Sequence, residues 1–177
     1  MRRTLAFLTL ATLAGCSGGK DPYNPGTSIG IFHVTGKLAS NACVAPGGAP
    51  DPWEFDVKLS RDGSTLYWIQ GGLPVQGTLD ASHHTTMSST ASNQVTAPDP
   101  KNNVSGCSMQ RDDALDVTLT ADPPTGFAGT LGYTFSATDG SDCSGQLAVA
   151  GGGWTNLPCQ LSYTLAAVKT DKTTLTY

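Results

Sequence analysis

Large apolar residues fall at every second position through most of this chain. Trp53, Phe55, Val57 and Leu59 alternate with Glu54, Asp56, Lys58 and Ser60. A period of two over such a run buries one face and wets the other, which predicts a half-buried strand. Asp62-Gly63 follows, a pair that tolerates the positive φ of a tight turn, and residues 65–70 resume the pattern, so the two runs predict a β-hairpin. The same grammar recurs in Phe32, Val34, Gly36 and Leu38, in Leu73, Val75, Gly77 and Leu79, and in Leu115, Val117 and Leu119. After the breaker at 122–126 it recurs in Phe127, Gly129, Leu131, Tyr133 and Phe135, and finally in Cys159, Leu161, Tyr163, Leu165 and Ala167.

Weaker strands are predicted at 85–90, 107–111 and 145–149. The total is about nine or ten strands, with turn signals every 8 to 12 residues or so, which predicts an all-β antiparallel fold. Successive hairpins favour an up-and-down meander, closed as a barrel or folded as a β-sandwich, since both show the same alternation. Trp53, Phe55, Trp68, Phe127, Tyr133, Phe135 and Tyr163 are its expected core.

Composition agrees. Only 14% of the 177 residues are charged and Glu54 is the sole glutamate, while Thr, Ser, Gly and Pro are abundant. Beyond the first fifteen positions no long segment keeps a 3.6-residue apolar period, which excludes coiled coils and helix bundles. The length suits one domain.

The first segment has a different character. Arg2 and Arg3 precede an apolar run over 5–14, too short to span a bilayer as a helix, and then come Gly15 and Cys16. This is the pattern of a secretory signal peptide. The stretch Leu13-Ala14-Gly15-Cys16 resembles the bacterial lipoprotein signal. That resemblance implies cleavage before Cys16, a thioether-linked diacylglycerol on its sulfur and commonly a further acyl chain, such as palmitate, on its amine. Two or three chains anchor a protein stably without a transmembrane helix. In such lipoproteins an Asp after the Cys retains the protein at the inner membrane. Ser17 stands here, so the expected location is the outer membrane, facing the periplasm or the cell surface. Residues 1–15 are thus expected to be a signal peptide, 16–28, rich in Gly, Pro and Ser, a flexible tether, and 29–177 a single all-β domain. The expected partners are the membrane, through lipidated Cys16, and the lipoprotein export machinery.

Loss of Arg2 and Arg3 makes an acidic chain, already −4 in full, more acidic still. No basic patch interleaved with aromatic residues is present, and nucleic acid is excluded as an expected partner. With Cys16 assigned to lipid, Cys43, Cys107, Cys143 and Cys159 remain, an even set that reads as two disulfides in an oxidising compartment. Of the three connectivities, Cys143 with Cys159 and Cys43 with Cys107 is expected, because the first pair brackets a short Gly-rich segment.

Candidate chemistry is sparse. His83 and His84 are adjacent, and neighbouring strand residues point to opposite faces, so surface histidines are expected rather than a metal pair; His33 lies on a polar face. Asp139-Gly140-Ser141-Asp142 offers two carboxylates in a turn but lacks the further acids of a calcium loop. Asp112, Asp113 and Asp116 read as acids crowding a hairpin turn. No Gly-x-Ser-x-Gly or His-Glu-x-x-His motif occurs. No catalytic residue, metal ligand or cofactor is expected, and no ligand-binding residue is singled out.

In architecture, a lipid-anchored exported meander resembles the lipocalin-like barrels found among bacterial lipoproteins. The Gly-x-Trp of the first lipocalin strand is missing, with Gly30-Ile31-Phe32 or Gly36-Lys37-Leu38 in its place, so no ligand site carries over. The expected role is a non-catalytic envelope binding or structural module, with a protein as a possible partner. The alternative is a carrier of a small apolar ligand inside the barrel, suggested by the inward aromatic residues and by Gly129 and Gly132 in the longest strand.

Overall fold

A computed structural model describes residues 21–102 and 104–175. Eight strands follow in chain order: β1 (Thr27–Asn41), β2 (Trp53–Asp62), β3 (Thr65–Ile69), β4 (Val75–Thr78), β5 (His84–Thr96), β6 (Cys107–Leu119), β7 (Gly126–Ala137) and β8 (Cys159–Lys169). All pair antiparallel in one sheet of order β4-β3-β2-β1-β8-β7-β6-β5. The first strand joins the last, and the sheet is a nearly closed up-and-down barrel.

Its one seam lies between β4 and β5, which run side by side without forming a ladder. Gly77 makes that approach possible. A Cβ there would collide with the Thr86 carbonyl oxygen and with Oγ1 of Thr85, so only glycine lets the two edges touch.

The predicted strands reappear with two corrections that bring the number to eight. The run at 107–111 and the run at 115–119 are one strand, β6, because the residues between them continue the ladder with β5 and β7. The segment 145–149 is not a strand; it holds two short 3-10 turns, Ser144–Gln146 and Ala148–Ala150. The barrel also takes in residues expected in the tether. Thr27 and Ser28 pair with Arg61 and Ser60, Lys58 Nζ donates to Asn24 Oδ1, and Ser60 Oγ donates to the Pro25 carbonyl.

The alternation seen in the sequence sets what lies inside. Phe32, Val34, Val57, Leu59, Leu66, Val117 and Leu165 are all at most 1% exposed and fill the barrel with Leu119, Phe127, Tyr163 and Ala167. Turns 63–64, 79–83 and 120–125, together with both termini of the barrel, lie at one end, here called the turn end. Loops 42–52, 70–74 and 138–158, with residues 97–102 and 104–106, lie at the other, the mouth.

Both disulfides sit at the mouth and differ from the expected pairs. Cys43 is bonded to Cys159 and Cys107 to Cys143, not Cys143 to Cys159 and Cys43 to Cys107. Sheet neighbours decide the pairing. Cys43 follows the end of β1 and Cys159 begins β8, and these strands pair at Asn41 and Leu161. Cys107 begins β6 and Cys143 follows β7, paired at Met109 and Ala137. Nearness in sequence between Cys143 and Cys159 counted for less than the closing of the first strand on the last.

Candidate binding site at the barrel mouth

Above the filled half of the barrel the inward residues change in kind. On β6 the inner positions run Met109, Arg111, Asp113, Leu115 and Val117, so an arginine and an aspartate project into the barrel where a hydrophobic pattern would place apolar side chains. They form a fork. Arg111 Nε donates to Asp113 Oδ1 at 2.7 Å and Nη2 to Oδ2 at 2.8 Å. The strand's own two-residue repeat brings the pair together, because i and i+2 share a face. Ser89 Oγ on β5 also donates to Asp113, at 3.3 Å. Asp113 is the more sheltered partner, with its side chain 19% exposed against 48% for Arg111.

Aromatic rings surround this pair. The Arg111 guanidinium lies 5.2 Å from the centre of the Tyr133 ring, within cation–π range. Tyr133 leads to Trp53 at 6.2 Å and Phe135 at 6.1 Å. Trp53 in turn contacts Phe55 at 4.5 Å and Tyr163 at 5.1 Å. The chain of rings continues down to the core through Phe55, Trp68 and Phe127, and up to the rim through Phe135 and Trp154, whose centres are 4.6 Å apart. Trp68, Phe127 and Tyr163 are buried in the core as expected, whereas Trp53, Phe55, Tyr133 and Phe135 are only partly buried and form a wall.

Two open cavities result. One, of about 420 Å³, lies on the seam side between Trp68, Val75, Met87, Ser89, Leu131 and Tyr133. The other, of about 440 Å³, lies toward β8 between Trp53, Phe135, Leu161 and Tyr163. Arg111, Tyr133 and Gln70 border both, so the Arg111–Tyr133 stack divides the mouth. Burial, followed by the nearby Asp113 carboxylate, pushes the Tyr133 hydroxyl well above the usual tyrosine range. The hydrogen bonds to Asp113 raise the Arg111 guanidinium further, so the stack keeps its charge.

Long loops hold the rim. Asn41 Oδ1 accepts from the backbone N–H groups of Cys43 and Val44, closing the start of loop 42–52. Loop 138–158 runs from β7 to β8 around the rim. Ser141 Oγ accepts from Ser108 N, Gln146 Nε2 reaches Thr96 Oγ1, and Thr155 N donates to the Cys43 carbonyl. The two disulfides fasten the same loops.

Chemically, the arrangement can hold an apolar group against rings while a fixed guanidinium presents its remaining donors. Two of the five Arg111 N–H groups serve Asp113, and Nη1 has no partner among the described residues. The histidines lie elsewhere. His33 and His84 are on the outer face, bonded to Asp56 and Asp116, and His83 sits in the turn 79–83 with φ 63°. Asp139 and Asp142 belong to the rim loop, where Asp142 Oδ1 accepts from Ser144 N. Asp112 and Asp116 are not in a turn, as the sequence suggested, but on the outer face of β6. Asp112 accepts from Thr90 Oγ1 and from the Gln110 amide. Among the described residues no His, Cys, Asp and Glu side chains gather as a group of three able to hold a metal ion. Cys16 lies outside the described residues.

Of the fork at the mouth, the sequence reading passed over Arg111 and placed Asp113 in a hairpin turn. The signal was present, since Met109 to Leu119 alternates without a break once a charged pair is allowed on the inner face. The chain matches no family model, no curated protein and no solved structure.

Proposed function

We propose that the chain is an exported outer-membrane lipoprotein, anchored through acylated Cys16, whose barrel is a non-catalytic binding module of the envelope with its site at the mouth. One observation carries this reading: an ion pair and a wall of rings share the inner face at the open end of a barrel whose other half is lined by fully buried apolar side chains. Pockets of this kind, mostly apolar with a few fixed polar groups, are the common form of ligand sites.

The direction of the chain supports display. Residues 24–26 dock on the outer face of β2 at Lys58, Ser60 and Arg61, and the first barrel strand, β1, starts at the turn end, so we take the anchor side to be opposite the mouth. A barrel held this way turns its site away from the bilayer.

The test is native mass spectrometry of the protein extracted from its own membrane. The expected result is a covalent lipid increment on a polypeptide starting at Cys16, and its absence overturns the anchor. In parallel, the apolar dye anilinonaphthalene sulfonate is expected to bind the wild type and to bind Trp53→Ala several-fold more weakly. Equal binding removes the mouth as the site.

A second reading is favoured by the ring network alone: carriage of a small apolar ligand. The lower barrel is filled, so such a ligand would sit in the open mouth against Trp53 and Phe135, not enclosed. A second mass that is lost on denaturation would support it.

A further inference from the structure

The seam is closed only at the level of Gly77. Above it β5 continues from Ser88 to Thr96 with no strand on its free side. Which backbone groups face that side follows from its first residues. His84 N donates to Asp80 Oδ1 and the His84 carbonyl accepts from Asp80 N, both away from β6, and the Thr86 carbonyl faces Gly77. With a period of two, Ser88, Thr90 and Ser92 turn their N–H and carbonyl groups the same way. None of these groups has a backbone partner among the described residues.

Edges of this kind are usually blunted by charge, proline or a covering loop. From Thr85 to Thr96 there is no charged residue and no proline. The free edge also borders the seam-side cavity of about 420 Å³, which Ser88, Ser89, Thr90 and Ala91 line together with Tyr133.

Resting on the reading of the mouth as a binding site, we propose that the ligand is an extended peptide segment that adds as a strand to β5 along Ser88, Thr90 and Ser92. Main-chain hydrogen bonds hold it, and alternate side chains choose it. Every second residue enters the mouth against Trp68, Leu131 and Tyr133, which selects apolar side chains there. The intervening residues lie on the outer face beside Thr90, whose hydroxyl is bonded to Asp112 at 2.7 Å. Asp112 has no cationic partner among the described residues, and the chain as a whole is acidic, so the outward positions favour Lys or Arg. The partner is thus an extended segment alternating apolar and basic residues.

The probe is a capped peptide alternating leucine and lysine over about eight residues, enough to span a strand, titrated into the full chain in detergent and followed by tryptophan fluorescence. Two further peptides carry backbone N-methyl groups on alternate residues, one on each set. One of the two is expected to bind about tenfold or more weakly, while the other stays within about twofold, because only one set of amides faces β5. Thr90→Pro, which removes an N–H not used by β6, is expected to weaken the unmodified peptide to a similar degree. Near-ultraviolet circular dichroism checks its fold. Equal behaviour of the two methylated peptides overturns strand addition. So does a dimer of the free chain that is lost in Thr90→Pro, because a second copy then occupies the edge. If the peptide fails while anilinonaphthalene sulfonate still binds in a Trp53-dependent way, strand addition falls and the mouth remains a site. If neither binds, both fall.

Discussion

The two ends of this barrel are made from the same strands and obey the same alternation, yet they are built for different tasks. At the turn end, inner positions are aliphatic or fully covered aromatic residues, and turns as short as 63–64, with Gly63 at φ 59°, join the strands. At the mouth, inner positions hold half-covered rings and the Arg111–Asp113 fork, and long loops need two disulfides to hold them. Ordering a long loop is entropically costly, and a cross-link removes part of that cost from the unfolded side. Stability is concentrated at one end, and the other is left open for contact.

The largest expected effect tests where stability resides. Phe32→Ala, at a position with no exposed surface, is expected to destabilise the protein by about 3–5 kcal/mol, whereas Phe135→Ala at the mouth should lose only about 1–2. Urea unfolding of both variants measures the difference, and equal losses would remove the contrast. Next in size is the Cys43–Cys159 bridge, which joins residues 116 apart in sequence. Replacing both cysteines by serine is expected to cost about 2–4 kcal/mol. Hydrogen exchange should then rise first in loops 42–52 and 138–158 while Val57, Leu59 and Val117 keep their protection. Faster exchange at the turn end would reverse the assignment of the two ends.

The turn-end half was legible in the sequence because its chemistry agrees with its geometry. Val57 to Ser60 and residues 65–69 alternate cleanly, Asp62-Gly63 marks the turn, and both strands and the hairpin are found. The mouth was less legible for the opposite reason. Arg111 and Asp113 interrupt an apolar pattern on the inner face, which is open to water at the mouth, and the aspartates beside them, Asp112 and Asp113, read in sequence as a turn. Residues 145–149 contain apolar side chains that suggest a strand. They have no strand beside them, because β7 and β8 already pair with each other across the loop, and the segment folds into 3-10 turns on the rim. The disulfide pairing depended on β1 meeting β8, a long-range fact that no local pattern carries.

A smaller effect examines the fork. Arg111→Ala removes the cation over Tyr133 and leaves Asp113 with Ser89 alone. Because Arg111 is half exposed, water screens the pair, and the expected loss of stability is at most about 1 kcal/mol. Its expected effect on the mouth is larger, since the divider between the two cavities goes. The peptide and dye affinities of this variant should change while its urea midpoint barely moves. A large loss of stability with unchanged binding would make the fork a structural element of the core.

The smallest effect concerns the outer face of the barrel. Asp56, on the outer face of β2, binds Lys172 of the tail that follows β8 and accepts or shares a proton with His33 Nδ1 at 3.0 Å. The Lys172 hydrogen bond, and next the bond to His33, hold its carboxyl below the usual range. A carboxylate whose pKa is lowered by folding stabilises the native state wherever it is ionised in both states, which is above the unfolded value of about 3.9. That contribution is lost as the pH falls through the lower folded value. The stability difference between wild type and Asp56→Asn is therefore expected to shrink as the pH falls below about 4. Urea midpoints across that range measure it. A difference that grew below about pH 4 would mean that the tail is held at Asp56 by a protonated carboxyl, and that the outer face of β2 owes nothing to this ion pair.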